Sequence, residues 1–332
     1  MVDLTTNYLG LALKNPLVPS SSPLTGDFDS VKKLEDAGAS ALVLPSLFEE
    51  DIEHEAMLMH QYLDHQAIGF AEADSFLPAS REYQSKLDGY LDSIERYTSE
   101  LSIPVIGSLN GVTPGGWIAH ARELQDAGCD ALEINAYYIA ANIEETSLQV
   151  EQRYVQILEE VKKIVTIPVT MKLSSQFTSP GNFIKRLEKK GAAGAVMFNR
   201  FYQPDINLET LEAVPKVHLS TSYESLLRIR WIALLRNRVT LSLAATGGIH
   251  TGLDVVKALL VGADVTYLCS VLLHHGVDRL GIIKDELVEW MEINEYESVE
   301  QLKGSISYDN AINPAAFERA NYRDVLDSYK LR

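Results

Sequence analysis

A pair of glycines stands where an apolar, strand-like segment passes directly into a helix-like one. Residues 241–245 are mainly apolar, Thr246, Gly247 and Gly248 follow, and residues 253–261 have the apolar character of a packed helix. Such a turn gathers free backbone N–H groups at the positive end of a helix dipole, where phosphate groups bind. The pair therefore predicts an anion site, and ordinary turn chemistry is the alternative interpretation.

A lysine inside a short apolar segment is the second feature that could do chemistry. Lys172 lies in the segment VTMKL at 169–173, and burying its ammonium without an anionic partner would be costly. Asn135 and Asn199 close neighbouring strand-like segments and would add hydrogen bonds beside it. A fixed cation next to amides suits a bound flavin, because positive charge stabilises the anionic reduced ring. A structural ion pair with Glu133 is the alternative.

Residues of this kind need a scaffold that brings them together, and the chain alternates short apolar segments with amphipathic helical ones eight times. Segments that are apolar throughout are typical of parallel strands covered by helices. Eight such units predict an α/β fold of the TIM (β/α)8 barrel type, and a doubly wound sheet is the alternative. In a barrel the polar residues that end the strands meet at one face. The glycine pair then follows strand seven, where phosphate is frequently bound.

The remaining segments complete the predicted architecture, which is one domain over residues 1–332. Residues 1–16 predict an N-terminal β-hairpin about Gly10, and residues 295–332 predict a packed, helical C-terminal extension. Two long excursions, at 47–80 and 201–219, interrupt the alternation, and the second is predicted to form a hairpin. Long loops after barrel strands are often functional.

The composition excludes several classes of protein. The net charge is −17, from 29 basic against 46 acidic residues, and no basic cluster is present, which argues against a nucleic-acid partner. Cys129 and Cys269 form no Cys-x-x-Cys motif, and the spacing of His54, His60 and His65 does not bring three ligands to one helix face, so no metal site is predicted. Because neither a signal peptide nor a membrane-length apolar run is seen, we expect a cytoplasmic protein without a membrane partner.

Taken together, the motifs resemble those of the FMN-dependent dihydroorotate dehydrogenases, above all the soluble cytosolic class. The most specific match is TGGIHTGLD at 246–254 with LLVGA at 259–263, and EIN at 133–135 and PVTMKL at 168–173 also match. The resemblance implies oxidation of dihydroorotate to orotate in pyrimidine biosynthesis, with hydride passing to flavin N5. It also implies an FMN cofactor, a small-molecule substrate and a homodimer.

The strand-end positions and the resemblance together give a set of expected cofactor contacts. Within it, the glycine pair and the loop after strand eight are expected to hold the FMN phosphate. The expected cofactor-binding residues are Ser21, Ser22, Asn110, Asn135, Lys172, Asn199, Ser222, Thr246, Gly247, Gly248, Cys269 and Ser270.

The substrate side departs from the family pattern. The family has a catalytic cysteine or serine shortly after the asparagine that corresponds to Asn135, whereas this chain continues Ala136-Tyr137-Tyr138, and Tyr138 stands at the position of the base. A tyrosine, with a usual pKa of about 10, acts as a base only if a cation such as Lys172 lowers that pKa, or as an acid in the reverse direction. We predict Tyr138 and Lys172 as catalytic residues, and an aromatic lid or packing role is the alternative for Tyr138.

Three other functions stay open at this point. One is a flavin-dependent reductase of another dihydropyrimidine or an alkene. The departure from the family pattern after Asn135 favours this alternative. Another is a non-catalytic FMN-binding barrel that has lost its base. A tRNA-dihydrouridine synthase shares the barrel and the flavin, but the acidic charge argues against it. The residues name neither the true substrate nor the electron acceptor.

Overall fold

The strands of the barrel are short and the helices between them are longer. The computed structural model describes residues 2–52, 54–55, 57–58, 85–111 and 116–328. The strands are β1 (Thr6–Tyr8), β2 (Leu11–Leu13), β3 (Leu17–Pro19), β4 (Leu42–Val43), β5 (Leu47–Phe48), β6 (Val105–Asn110), β7 (Ala131–Asn135), β8 (Val169–Leu173), β9 (Gly194–Met197), β10 (Asp205–Asn207), β11 (Glu212–Val214), β12 (Ser242–Thr246) and β13 (Val265–Leu268).

Most of the helices are amphipathic and bury an apolar stripe against the outer face of this sheet, whereas the C-terminal helix buries none of its residues. The main helices are α1 (Phe28–Asp36), α2 (Lys86–Glu100), α3 (Gly116–Asp126), α4 (Ser147–Ile164), α5 (Pro180–Lys189), α6 (Ser225–Leu235), α7 (Gly252–Val261), α8 (Ser270–His275), α9 (Arg279–Ile293), α10 (Val299–Leu302) and α11 (Ala320–Ser328).

Eight parallel strands form a nearly closed barrel, which confirms the predicted TIM-barrel fold. Their order is β3-β13-β12-β9-β8-β7-β6-β4, and each neighbouring pair in this order is parallel. The gap between β3 and β4 is bridged by Ser40, whose N–H (3.1 Å) and hydroxyl (2.9 Å) both donate to the carbonyl of Leu17. The carboxyl ends of all eight strands therefore meet at one face.

The second barrel strand is split in two. Both β4 and β5 pair with β6, and Pro45, which lies between them, has no N–H to continue the ladder. Strand β5 forms the first two residues of the long excursion predicted at 47–80. Most of that excursion, including His60 and His65, lies outside the described residues.

The N-terminal hairpin closes the other end of the barrel. Strands β1 and β2 pair antiparallel, as predicted, and place Tyr8 and Leu9 in the barrel interior, where both are buried. The hydroxyls of Tyr8 and Tyr267 are 2.9 Å apart, so a hydrogen bond links the hairpin to β13. Side chains of the hairpin thus fill the barrel interior at this end.

The segments after the eighth barrel strand differ in part from the sequence-based expectation. Helix α8 was not predicted, because six residues are too few to show a helical period. In the C-terminal extension, Val299 and Leu302 of α10 are buried as expected, whereas α11 buries none of its residues. The predicted hairpin in the second excursion is confirmed as β10 and β11.

One acidic side chain ties α5 to the start of β12 and gives a pH-dependent prediction. Glu188 accepts hydrogen bonds from the backbone and hydroxyl of Thr240 and pairs with Lys185 at 2.5 Å. Burial raises the pKa of Glu188, but the hydrogen bonds from Lys185 and Thr240 outweigh it and lower the pKa to about 2. A depressed carboxyl pKa stabilises the fold above the unfolded value, and this stabilisation is lost as pH falls towards 2.

We therefore expect Glu188→Gln to lower the free energy of unfolding at pH 7 by about 1–2 kcal/mol, and by much less near pH 3. Urea unfolding at pH 7, 5 and 3 measures this. The matched control is Glu159→Gln, which removes a more exposed pair with Lys190 and should change stability by less than about 1 kcal/mol. A loss in Glu188→Gln that is the same at all three pH values would contradict the argument.

Candidate active site

Two adjoining cavities open at the carboxyl ends of the barrel strands. The first, about 330 Å³, is lined by Gly247 and Gly248 and is called here the glycine-side cavity. The second, about 630 Å³, is lined by Asn110 and Asn135 and is called the asparagine-side cavity. The residues that line both are Ser21, Pro23, Lys172, Asn199, Arg200 and Tyr202.

Most of the expected cofactor contacts lie on these walls. Those that line at least one cavity are Ser21, Ser22, Asn110, Asn135, Lys172, Asn199, Thr246, Gly247, Gly248, Cys269 and Ser270. Two predicted site residues, Ser222 and Tyr138, line neither cavity.

The backbone conformation of the glycine pair strongly favours glycine. Both residues have positive φ, +86° at Gly247 and +84° at Gly248, a region that other residues rarely adopt. A Cβ at Gly248 would lie 2.3 Å from the backbone nitrogen of Ser225. The buried Arg228 holds the turn from behind by donating to the carbonyls of Thr246 (2.8 Å) and Phe198 (3.0 Å).

The helix end after this turn is already occupied, which corrects the expectation that it supplies free N–H groups. The carboxylate of Asp254 accepts from the backbone N–H of His250 (3.0 Å) and Thr251 (3.1 Å). Glu286, from α9, accepts from the N–H of Gly252 at 2.6 Å. An anion would therefore be bound before α7, at the glycine turn itself, and not at the helix N-terminus.

Hydroxyl groups surround the glycine turn. The backbone N–H of Ser220 donates to the hydroxyl of Ser270 (3.1 Å), and the Ser220 hydroxyl lies 3.0 Å from Nε2 of His250. Burial lowers the pKa of His250, which favours the neutral ring at pH 7. Burial also raises the pKa of the Cys269 thiol on the same wall, so the thiol stays protonated.

The structure places Ser220, and not Ser222, on the cavity wall. Ser222 donates its hydroxyl to Asp254 at 2.7 Å, on the far side of the loop. Ser220 lies in an irregular segment, and Ser222, two residues on, is the first residue of a short 3-10 helix, Ser222–Glu224. The sequence could not distinguish the two serines, because neither lies in a strand or a long helix whose period fixes which side chain faces the cavity.

The glycine-side cavity has cationic side chains on its walls, whereas the asparagine-side cavity is lined by one acidic side chain, Glu50, as well. Of the described residues that line the glycine-side cavity, none is acidic, and Lys172 and Arg200 are cationic. Arg200 is held by Glu224, 2.9 Å from its Nε, and by the carbonyl of His218. Sequence reasoning missed Arg200, although its place directly after Asn199 at the end of a barrel strand was an available signal.

Strand register brings the amides and the lysine into one row. Asn110 of β6 is opposite Asn135 of β7, and Asn135 is opposite Lys172 of β8. Side chains that are opposite each other on neighbouring parallel strands point to the same face of the sheet. The three side chains therefore form one row, which points into the barrel mouth. The Asn199 amide donates to the Asn135 carbonyl oxygen at 2.6 Å and so extends the row to the next strand.

Lys172 is both buried and paired. Its Nζ lies 3.1 Å from Oε1 of Glu133, and the lysine also lines both cavities. The ion pair with Glu133, which the sequence analysis gave as the alternative, is therefore present. The paired lysine nevertheless lines both cavities, where it could also contact a cofactor.

The two tyrosines after β7 point in different directions. Tyr138 donates its hydroxyl to Glu145 (2.5 Å), and the guanidinium of Arg153 lies 4.3 Å from its ring centre. The hydrogen bond to Glu145 raises the pKa of Tyr138, the opposite of what a base requires. Tyr137 lines the asparagine-side cavity, packs on Phe201 with ring centres 4.2 Å apart, and its hydroxyl accepts the N–H of Tyr202 at 3.0 Å.

Neither a metal cluster nor a membrane-spanning helix is found in the part of the chain that the structure describes. There, His, Cys, Asp and Glu side chains form no group of three or more that could hold a metal ion. None of the helices described has the length and apolar character needed to cross a bilayer.

The chain is similar to known oxidoreductases over most of its length. The family model for dihydroorotate dehydrogenase matches residues 74–291. The catalytic subunit of a dihydroorotate dehydrogenase B (NAD(+)) from Thermoplasma acidophilum is 24% identical over 315 residues, 92% of this chain and 99% of the relative. A dihydroorotate dehydrogenase A (fumarate) from Lactobacillus delbrueckii is 25% identical, covering 93% and 100%. A chloroplastic dihydropyrimidine dehydrogenase (NADP(+)) from Arabidopsis thaliana is 24% identical, covering 92% and 78%.

Proposed function

The chain belongs to the dihydroorotate dehydrogenase family of oxidoreductases, which act on a CH–CH group, and from that premise we propose that it oxidises dihydroorotate to orotate with FMN as cofactor. The observation that carries the proposal is the pair of adjoining cavities that share Lys172. The glycine-side cavity suits a phosphate-bearing cofactor, and the asparagine-side cavity suits a small polar substrate.

FMN fits the glycine-side cavity by the chemistry of its walls. The positive-φ glycine turn lets the backbone approach closely, the serine hydroxyls donate hydrogen bonds, and acidic side chains are absent from its described lining. We propose that Gly247, Gly248, Ser220 and Ser270 hold the phosphate. When bound, FMN would supply a hydride acceptor, and the charge of Lys172 would favour the reduced form.

The residues of the asparagine-side cavity would orient the substrate. Asn135 and Asn199 are fixed by their mutual hydrogen bond, so their remaining donor and acceptor groups are pre-oriented towards the cavity mouth. Lys172 contributes positive charge at the junction of the two cavities. Arg200 adds a second cation for an anionic substrate group such as a carboxylate.

Arg200 gives a testable expectation about the substrate. Arg200→Gln is expected to raise the KM for dihydroorotate about 10- to 100-fold with a smaller change in kcat, because a hydrogen bond to a charged group contributes about 1.5–3 kcal/mol. Steady-state kinetics measure this. Arg230→Gln, which alters a surface arginine bonded to Asn321, is the matched control and should leave both constants unchanged. An unaltered KM in Arg200→Gln would remove Arg200 from substrate binding.

Tyr137 is our choice for proton transfer, in place of Tyr138. Its ring lines the substrate side, and its hydroxyl accepts a backbone N–H, which leaves its own proton free to be shared with a ligand. Tyr138 is engaged by Glu145 and fits the packing role.

Paired phenylalanine variants separate the two tyrosines. Tyr137→Phe is expected to lower kcat by about 10²-fold, the lower end of the usual contribution of a general acid or base. Tyr138→Phe is expected to keep kcat within about threefold. Steady-state turnover of the FMN-loaded variants measures both, and the reverse order would restore Tyr138 as the acid–base residue.

The test of the function itself is anaerobic flavin reduction. The purified protein is expected to bind FMN with its visible absorbance, and dihydroorotate is expected to bleach that absorbance in a single turnover. Reduction by a nicotinamide donor alone would favour a reductase of another dihydropyrimidine. Bound FMN that no donor reduces would favour a binding module, and failure to bind FMN would overturn the proposal.

A dihydropyrimidine reductase is the second candidate. Two observations favour it: a tyrosine replaces the catalytic cysteine or serine expected after Asn135, and the chain is similar to a dihydropyrimidine dehydrogenase. A neutral tyrosine hydroxyl donates a proton more readily than it abstracts one from carbon. Such an enzyme would reduce the C=C bond of its pyrimidine substrate.

The cellular location and pathway, the oligomeric state and the domain organisation are also proposed. We propose a cytoplasmic enzyme of pyrimidine biosynthesis, a homodimer, and one domain spanning residues 1–332. The dimer rests on the family resemblance, and sedimentation equilibrium of the FMN-loaded protein tests it. A single cooperative unfolding transition would support one domain.

A further inference from the structure

A buried carboxylate lies directly beneath the lysine that the two cavities share. Glu133 is fully buried in the middle of β7, and its Oε1 lies 3.1 Å from Nζ of Lys172. Its other oxygen, Oε2, has no hydrogen-bond partner among the described residues. A buried carboxylate that is only half satisfied costs stability, and replacing such a pair by apolar side chains is often neutral or stabilising. Core stability alone is therefore a poor explanation for this pair.

Strand geometry sets the order of the two charges. Glu133 precedes Asn135 by two residues on β7 and is opposite Thr170 of β8, so it occupies the interior layer below the row that contains Lys172. Lys172 lines both cavities, whereas Glu133 lines neither. The ammonium thus lies between the carboxylate below and any ligand above.

The groups around Glu133 cannot replace it as the partner of the lysine. The hydroxyls of Tyr8 and Tyr267 are bonded to each other at 2.9 Å. Burial, together with the neighbouring Glu133 carboxylate, raises the pKa of both tyrosines, so they stay neutral. Thr170, also buried in this layer, carries no charge. Glu133 is therefore the negative charge that Lys172 contacts in the described barrel interior.

We propose that Glu133 is a positioning residue that holds the Lys172 ammonium at the cavity floor, partly balances its charge, and thereby sets the reduction potential of the bound flavin. This inference rests on the proposed FMN function. An uncompensated lysine would favour the anionic reduced ring more strongly, and a missing lysine would favour it less.

Glu133→Gln tests the role of the charge, because glutamine keeps the shape and an acceptor oxygen. The readout is the equilibrium of the bound flavin with a reference redox dye, measured by absorbance without substrate. We expect the equilibrium constant for flavin reduction to rise about tenfold in Glu133→Gln. A change of this size corresponds to the removal of one charge that acts over several ångströms in a partly screened protein interior. Lys172→Met should shift the same constant in the opposite direction.

The double variant distinguishes a charge effect from a general disturbance. In the Lys172→Met background, Glu133→Gln should change the constant by less than about twofold, because a buried carboxyl without its cation takes up a proton and is already neutral. Glu188→Gln, a carboxylate on α5 outside both cavities, is the control and should leave the constant unchanged.

The outcomes separate this inference from the proposed function. Folded, FMN-loaded Glu133→Gln with an unaltered flavin equilibrium would overturn the inference and leave the pair purely structural. If Glu133→Gln does not fold, Glu133→Asp replaces it, since the shorter side chain moves the charge away from Lys172 and should shift the constant in the same direction; no shift there would also overturn the inference. Absence of FMN from the unaltered protein would overturn the proposed function as well.

Discussion

Gly248→Ala is expected to abolish FMN binding at micromolar concentration. The new Cβ would lie 2.3 Å from the backbone nitrogen of Ser225, and alanine would have to adopt φ +84°. Relief requires the glycine turn to move away from α6, and displacement of a binding wall by about 1 Å is enough to lose about 10²-fold in function. The clash involves backbone on both sides, so no side-chain rotation can relieve it.

The same substitution is expected to lower the free energy of unfolding by about 2–4 kcal/mol, from overpacking and backbone strain together. Fluorescence titration with FMN and urea unfolding of the apoprotein measure the two effects. Gly10→Ala is the matched control, because Gly10 has φ +83° but a Cβ added there would meet no atom within 4 Å. It isolates the conformational penalty, about 1–2 kcal/mol, and should bind FMN normally. Normal FMN affinity in Gly248→Ala would show that the turn does not hold the cofactor.

Lys172→Met is expected to lower the rate of flavin reduction by about 10²–10³-fold, the usual effect of removing one pre-organised electrostatic group. Lys172 lines both cavities and follows Asn135 in the row of strand-end residues, and the neutral amides of that row cannot replace its charge. Arg200, the other cation that lines both cavities, is held by Glu224. Stopped-flow absorbance of the FMN-loaded variant measures the rate. The control is Lys190→Met, which removes a half-exposed lysine paired with Glu159 on the outer surface.

Stability must be separated from chemistry in this variant, because Lys172→Met leaves Glu133 buried without its cation. A loss of up to about 3–5 kcal/mol is expected for such a broken pair. Adding Glu133→Gln should recover most of that stability but not the rate. Recovery of the rate together with stability would mean that the lysine acts only through the fold. A rate within about threefold of the unaltered protein in Lys172→Met would remove the lysine from the mechanism.

The sequence predicted the barrel because its information is local and repeated. Each strand needs an apolar segment that is buried on both faces, and each helix needs one apolar stripe, so eight repeats of the pattern specify the sheet. The row of Asn110, Asn135 and Lys172 was predictable for the same reason, since polar residues at the ends of parallel strands must meet at one edge. The positive-φ turn at Gly247 and Gly248 was likewise marked by residue type alone.

Contacts between distant or irregular segments were decided only by the tertiary structure. Glu286, 34 residues beyond Gly252, fills the helix end that the local pattern had left open for an anion. Tyr137 and Tyr138 lie in an irregular loop without a period, and packing on Phe201 and the hydrogen bond to Glu145 fix which of them faces the cavity. Local periodicity determines which elements form, whereas the partner of a side chain depends on what the closed barrel brings beside it.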